Sequence, residues 1–222
     1  MAKNYGEEEE FNIWPTYSDV AFSIVLILLF LMFAQYVVIG KILNIAEIEK
    51  TQLLIRSKLQ DRFPQEWNVS IRESSQPQLQ RITFTDKILF ETGSAELGVQ
   101  GGNILRGVAE VITSVHDSLA NHANPHQKKS LFDEIQIQGH TDNAPIGGGL
   151  QKKYPTNWEL SSARATTVVR FFSDNCHLMS NHQLLLSAQG YAEYNNIADN
   201  SSEIGRALNR RIEINIKYPL ND

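Results

Sequence analysis

An apolar run near the N-terminus constrains this chain more than any other feature. From Val20 to Ile39 only Ser23 and Gln35 interrupt it. About twenty residues rising 1.5 Å each span the roughly 30 Å hydrocarbon core of a bilayer. No other segment approaches that length. The competing reading is a cleaved secretory leader. The preceding residues, MAKNYGEEEEF, carry one lysine and four consecutive glutamates where a leader needs positive charge, and no small-x-small cleavage site follows. A retained transmembrane helix is therefore expected over 17–40, after a cytoplasmic tail over 1–16. Trp14, Tyr17 and Tyr36 fall where interfacial aromatics sit. The basic residues nearest the span, Lys41 and Lys50, lie on its C-terminal side against Lys3 on the other. Taken alone, the positive-inside rule would put the C-terminal part in the cytoplasm, but long domains translocate despite such charge.

The rest of the 222 residues suffices for one domain of ordinary size. A net charge of −5 argues against a nucleic-acid binder. The one cysteine, Cys176, excludes an intrachain disulfide and is expected to be buried. After the span, 41–66 reads as a helical stalk with an apolar stripe at Ile42, Ile45, Ile48, Ile55 and Leu59. That spacing is close to a heptad seam, which suggests a short dimeric stalk; an amphipathic helix lying on the membrane or on the domain reads equally well. Pro64 is its expected stop.

Over 67–222 the periodicity alternates between strand and helix. Val69 and Ile71, then Ile82 and Phe84 with Ile88–Phe90, read as strands. So do Glu134–Gly139, Leu184–Ala188 and Arg211–Tyr218. Gly98 to about His122 and Asn157 to about Asn175 read as amphipathic helices. The expected fold class is α/β, an α+β sandwich with helices packed on one sheet.

Three segments carry more than periodicity: FETGSAEL (Phe90–Leu97), QGHTDNAP (Gln138–Pro145) with NWELSSARA (Asn157–Ala165), and GRALNRRIEI (Gly205–Ile214). Together they resemble the OmpA C-terminal family of peptidoglycan-binding domains, over roughly Arg81 to Tyr218. The resemblance implies that the C-terminal domain lies in the periplasm and that Asp142 and Arg164 bind the wall, with Asn157 and Leu160 lining the groove. The chemistry is sound. A stem peptide offers a diaminopimelate residue with an ammonium for Asp142 and a carboxylate for a bidentate Arg164. Spacing puts Arg164 on one helix face with Asn157, Leu160 and Ser161. Arg206, Arg210 and Arg211 read as structural. A glycine-rich loop, PIGGGLQKKYPT (Pro145–Thr156), separates the two ligand-bearing elements. His140 and Asp142 form an H-x-D pair without a third ligand at suitable spacing, so no metal, cofactor or enzymatic site is expected.

Asp19 directly precedes the apolar run. It reads either as a helix cap or, with Pro15 in the first turn, as an ionisable residue inside the helix and a functional candidate. Tail, one helix with an aspartate near its inner end, stalk and OmpA-like domain together resemble MotB-type stator subunits. In those, a homodimer stands inside a larger MotA-like multi-helix partner and the matching aspartate conducts the ion, a proton or possibly sodium. The acidic tail (Glu7–Glu10) and short linker resemble ZorB of the Zorya anti-phage systems, which pairs with the MotA-like ZorA. A flagellar MotB-type stator and a static membrane-to-wall anchor are the alternatives.

Overall fold

The computed structural model describes residues 14–63, 70–73, 76–91, 93–120, 131–180 and 184–220. Lys3, Pro64, Val69, His122 and Glu7–Glu10, all used in the readings above, lie outside them. The chain divides into two units, one ending at Asn44 and one running from Ile45 to Leu220. Helix α1 (Trp14–Arg62) contributes to both.

In the first unit, Pro15 is the second residue of α1, where its missing N–H costs nothing. Asp19 therefore lies inside the helix, in its second turn, rather than at the cap. Its backbone carbonyl accepts a hydrogen bond from Ser23 Oγ at 2.8 Å. By length and composition α1 can cross a membrane. Its apolar side chains face outward all round, with Phe30 and Phe33 each about two-thirds exposed (69% and 65%). Apolar surface on every side is what a helix in lipid presents.

In the second unit the strands are β1 (Ser70–Glu73), β2 (Leu79–Thr85), β3 (Glu134–His140), β4 (Leu185–Gly190) and β5 (Arg211–Lys217). They form one sheet in the order β1-β2-β5-β3-β4, antiparallel except for the β3–β4 pair. Alternation along β2, β3 and β5 sends Ile82, Phe84, Ile135, Ile137, Ile212, Ile214 and Ile216 to one face, all fully buried. Helices α3 (Val99–Ala120) and α4 (Asn157–Asn175) share that core through Leu105, Val108, Ile112, Val168 and Phe172. Cys176, just past α4, is buried, its sulfur 3.3 Å from Thr113 Oγ1.

The apolar stripe of the expected stalk behaves differently from a dimer seam. Ile48, Ile55 and Leu59 are buried in the domain's own core, together with Phe63. Ile42 is exposed and Ile45 half-buried. Polar contacts fix the same stretch. Gln52 Nε2 donates to the Pro77 carbonyl at 2.7 Å, Gln80 Nε2 donates to the Gln52 carbonyl at 2.9 Å, and Arg62 pairs with Glu110. Most of the stripe is therefore satisfied within the chain, and a dimer would have to use another surface.

Of residues 88–90, read above as strand, Ile88 and Leu89 belong instead to a single helical turn, α2 (Asp86–Leu89), and Phe90 follows it, bridging to Leu97. The reason is in the ladder. The β2–β5 pairing ends at Thr85 opposite Arg211, where β5 begins, so the next residues have no strand to pair with. Asp86 N–H instead donates to the Arg210 carbonyl at 3.0 Å, and Leu89 turns fully inward. Three short elements had no signal in the periodicity: a 3-10 turn at Gly148–Lys152, α5 (His177–Ser180) and α6 (Glu203–Asn209).

Helix α4 lies tightly over the ends of the two parallel strands. A Cβ built on Gly139 would stand 2.1 Å from the Ser161 carbonyl oxygen, and one on Gly190 would stand 2.2 Å from Ser162 Oγ. Gly139→Ala should therefore push α4 off β3 and destabilise the domain by roughly 1–3 kcal/mol, the usual range for overpacking. Urea unfolding followed by circular dichroism would check it; an unchanged midpoint would mean that α4 shifts at no cost.

Candidate functional site

The site is built where β3 ends and α4 begins. Thr156 caps α4: its Oγ1 accepts from the Trp158 N–H at 3.2 Å, while Glu159 Oε2 accepts from the Thr156 N–H at 2.7 Å. This reciprocal cap fixes where the first helical residue, Asn157, stands. Asn157 Nδ2 donates to the carbonyls of Asp142 (3.3 Å) and Ala144 (3.1 Å), tying the turn after β3 to the helix. The amide is spent on that turn.

Asp142 is buried. Its Oδ1 accepts from the Ala144 N–H at 3.1 Å, closing a local turn, and its Oδ2 pairs with Arg210 Nη1. Arg210 also reaches Glu203 Oε1 with Nη2, at 2.9 Å. Burial works against the Arg210 charge, but the hydrogen bonds it donates to Glu203 and Asp142 outweigh that and hold the group above its ordinary value. Of the three arginines read as structural, Arg206 (to Glu203 and the Asn200 carbonyl) and Arg211 (to Glu213 and the Asn195 carbonyl) brace the surrounding loops. Arg210 alone reaches the Asp142 carboxylate.

Arg164 is only 4% exposed. Nε donates to the Ser94 carbonyl at 3.0 Å, Nη1 pairs with Asp86 Oδ2 at 3.1 Å, and the guanidinium lies 5.2 Å from the Phe90 ring centre. Nη2 makes no hydrogen bond among the described residues. Burial pulls the group below its ordinary pKa range, and the neighbouring Asp86 offsets part of that pull. Leu160, one turn earlier on the same face, packs with Ala95 and Tyr154 in a small second cluster that Ile146 and Leu150 cover. The glycine-rich loop thus folds back over Leu160.

The four expected residues lie on one helix face and the strand end beside it. Two further charges, Asp86 and Arg210, complete their pairing. Neither pairing follows from local spacing. Asp86 stands 78 residues from its partner and Arg210 stands 68 from Asp142.

His140, the last residue of β3, makes a stacked pair with Tyr191 and is 1% exposed. Neither ring nitrogen has a hydrogen-bond partner among the described residues, and Nε2 stands 3.9 Å from Glu213 Oε2, beyond hydrogen-bonding range. Burial, reinforced by Arg211 and Arg81, pushes its pKa down to about 3. Asp142 turns its carboxylate to Arg210, and no three His, Cys, Asp or Glu side chains converge as a metal set among the described residues.

The neutral His140 has a consequence for stability. An unfolded imidazole takes its proton near 6.5 and the folded one only near 3. Between those values the unfolded chain binds more protons, so stability is complete above 6.5 and declines as pH falls, by about 1.4 kcal/mol per unit. The urea midpoint should drop between pH 7 and pH 4.5, and should drop less in His140→Gln. Equal drops in the two proteins would assign the acid sensitivity elsewhere.

The OmpA family model matches residues 89–210. Motility protein B of Bacillus subtilis is 30% identical over 133 residues, which is 60% of this chain and 43% of that protein. The chain spans less than half the length of the curated relatives it matches. Among solved structures, a MotB-like protein from Desulfovibrio vulgaris aligns with a TM-score of 0.63 at 20% identity, covering 81% of this chain and 99% of that one. The cell wall anchor of the T6SS from Pseudomonas aeruginosa aligns with a TM-score of 0.57 at 23% identity, covering 75% and 97%. Those structural likenesses show a common fold.

Proposed function

The chain belongs to the OmpA family, and from that premise we propose that it is the peptidoglycan-anchored subunit of an ion-driven inner-membrane stator. The observation that carries the wall-binding half is the placing of Asp142 and Arg164 beside one helix face, opposite in charge and each held by a counter-charge, half-buried Arg210 for the one and buried Asp86 for the other. A diaminopimelate residue brings an ammonium and a carboxylate, the complement of those two groups. The relatives named above, a motility protein and a wall anchor, are consistent with a wall-bound role.

In this reading α1 spans the inner membrane once, with the tail in the cytoplasm and the domain in the periplasm. Asp19, in the second turn of α1, takes and releases the coupling ion, a proton or sodium. A carboxylate at that depth is costly unless it faces protein or water, so a multi-helix MotA-like partner surrounding a dimer of this chain supplies its environment. The acidic tail and short linker favour the Zorya form of this machine, with a ZorA-like partner and a role in anti-phage defence. The similarity to motility protein B favours a flagellar-type stator as the second reading, with a static wall anchor third.

Detergent-purified full-length chain should co-sediment with sacculi. Arg164→Ala should weaken that binding tenfold to a hundredfold, the worth of a charge-assisted hydrogen bond of about 1.5–3 kcal/mol. Retention equal to wild type would sink the wall-binding site. In cells carrying the native gene cluster, Asp19→Asn at equal membrane levels should abolish protection against phage. A cluster that never protects would hand the lead to the flagellar stator, and protection that survives the substitution would remove Asp19 from the mechanism.

A further inference from the structure

Asp86 belongs to none of the three motifs, yet it is the buried counter-charge of Arg164. It opens α2 at the point where the β2–β5 ladder stops. Its N–H is held by the Arg210 carbonyl at 3.0 Å, and its Oδ2 meets Arg164 Nη1 at 3.1 Å. Resting on the wall-binding reading above, we propose that Asp86 is the positioning residue that aims Arg164 at the ligand's carboxylate.

A guanidinium carries five N–H donors in a rigid plane. Fixing any two of its nitrogens fixes the direction of all the others. In this domain the Ser94 carbonyl takes Nε and Asp86 takes Nη1, while the Phe90 ring lies against the group. Among the described residues both N–H groups of Nη2 are left over. A flexible side chain with four rotatable bonds is thereby reduced to one orientation with an unspent edge, and a carboxylate arriving at that edge meets donors already in place.

The opposite role, a competitor that the ligand must expel, fits less well. Asp86 is 8% exposed, and its backbone is bonded to the strand end. Displacing Arg164 toward a ligand would strand a buried carboxylate without its partner, which is unfavourable. The two roles also predict opposite signs: removing a positioning residue weakens ligand binding, whereas removing a competitor strengthens it.

The test uses the full chain in detergent and two probes. One is a stem tripeptide ending in diaminopimelate, and the other is the same peptide with the side-chain carboxylate amidated. Wild type should prefer the free carboxylate by tenfold or more. In Asp86→Ala that preference should shrink to threefold or less, with weaker binding of the free-carboxylate probe. Asp86→Asn keeps an acceptor for Nη1 without the charge, buries a similar volume, and should give an intermediate preference. A purely structural Asp86 would lower the folded fraction and leave the preference of the folded protein unchanged. Wild-type preference in both variants overturns the proposal, as does tighter binding of the free-carboxylate probe. If wild type itself fails to discriminate, or Arg164→Ala binds both probes as wild type does, the wall-binding reading fails first.

Discussion

A guanidinium can be carried into a protein interior only with a counter-charge and acceptors for its N–H groups. That requirement organises the end of the domain where β3 meets α4. Arg164 needs Asp86 and the Ser94 carbonyl; Asp142 needs Arg210 and the Ala144 amide. These partners come from α2 with the 90–97 turn that follows it, the end of α6 and the turn after β3. Three separate chain segments therefore converge because two buried charges must be met. Asp86 and Arg210 are in turn locked together by a backbone hydrogen bond, so the two pairs are set with respect to each other.

Close backbone approach makes that convergence possible. Glycine at 139 and 190 lets α4 lie almost on the ends of β3 and β4. Ser161 then bridges outward: its Oγ donates to the Trp158 carbonyl and accepts from the Ala192 N–H. Ala192 adopts a positive φ of 48°, uncommon for a residue with a Cβ, so the turn after β4 holds some strain where it meets the helix. The core beneath is conventional in its apolar face. Its opposite face is polar and nonetheless buried, with His140 kept neutral between Arg211 and Arg81.

Helix α1 changes its surroundings along its length while remaining one helix. Through Ile39 the apolar residues are exposed on every side; from Ile48 onward Ile48, Ile55 and Leu59 enter the domain core while Leu53 stays exposed. The two patterns suit two different surroundings. Lipid accepts apolar side chains in all directions, whereas a sheet-and-helix core accepts only those on the face turned toward it.

The span, the helices α3 and α4, and the main strands were legible from the sequence because each announces itself through local periodicity. The motif residues Asp142, Asn157, Leu160 and Arg164 were legible as a group, since helical spacing alone puts three of them on one face. Asn157 spending its amide on the turn, and Leu160 lying beneath the glycine-rich loop, were not. Nor was α2, whose residues read as strand until the neighbouring ladder ended. The stripe from Ile48 to Leu59 fitted a dimer seam or a packed helix equally well, because both need the same spacing. By itself, then, the sequence determined which residues face inward along each element, a property of neighbours three or four positions apart. Only the tertiary structure decided which charge pairs with which, because Asp86 and Arg164, or Asp142 and Arg210, meet across long stretches of chain where no local pattern reaches.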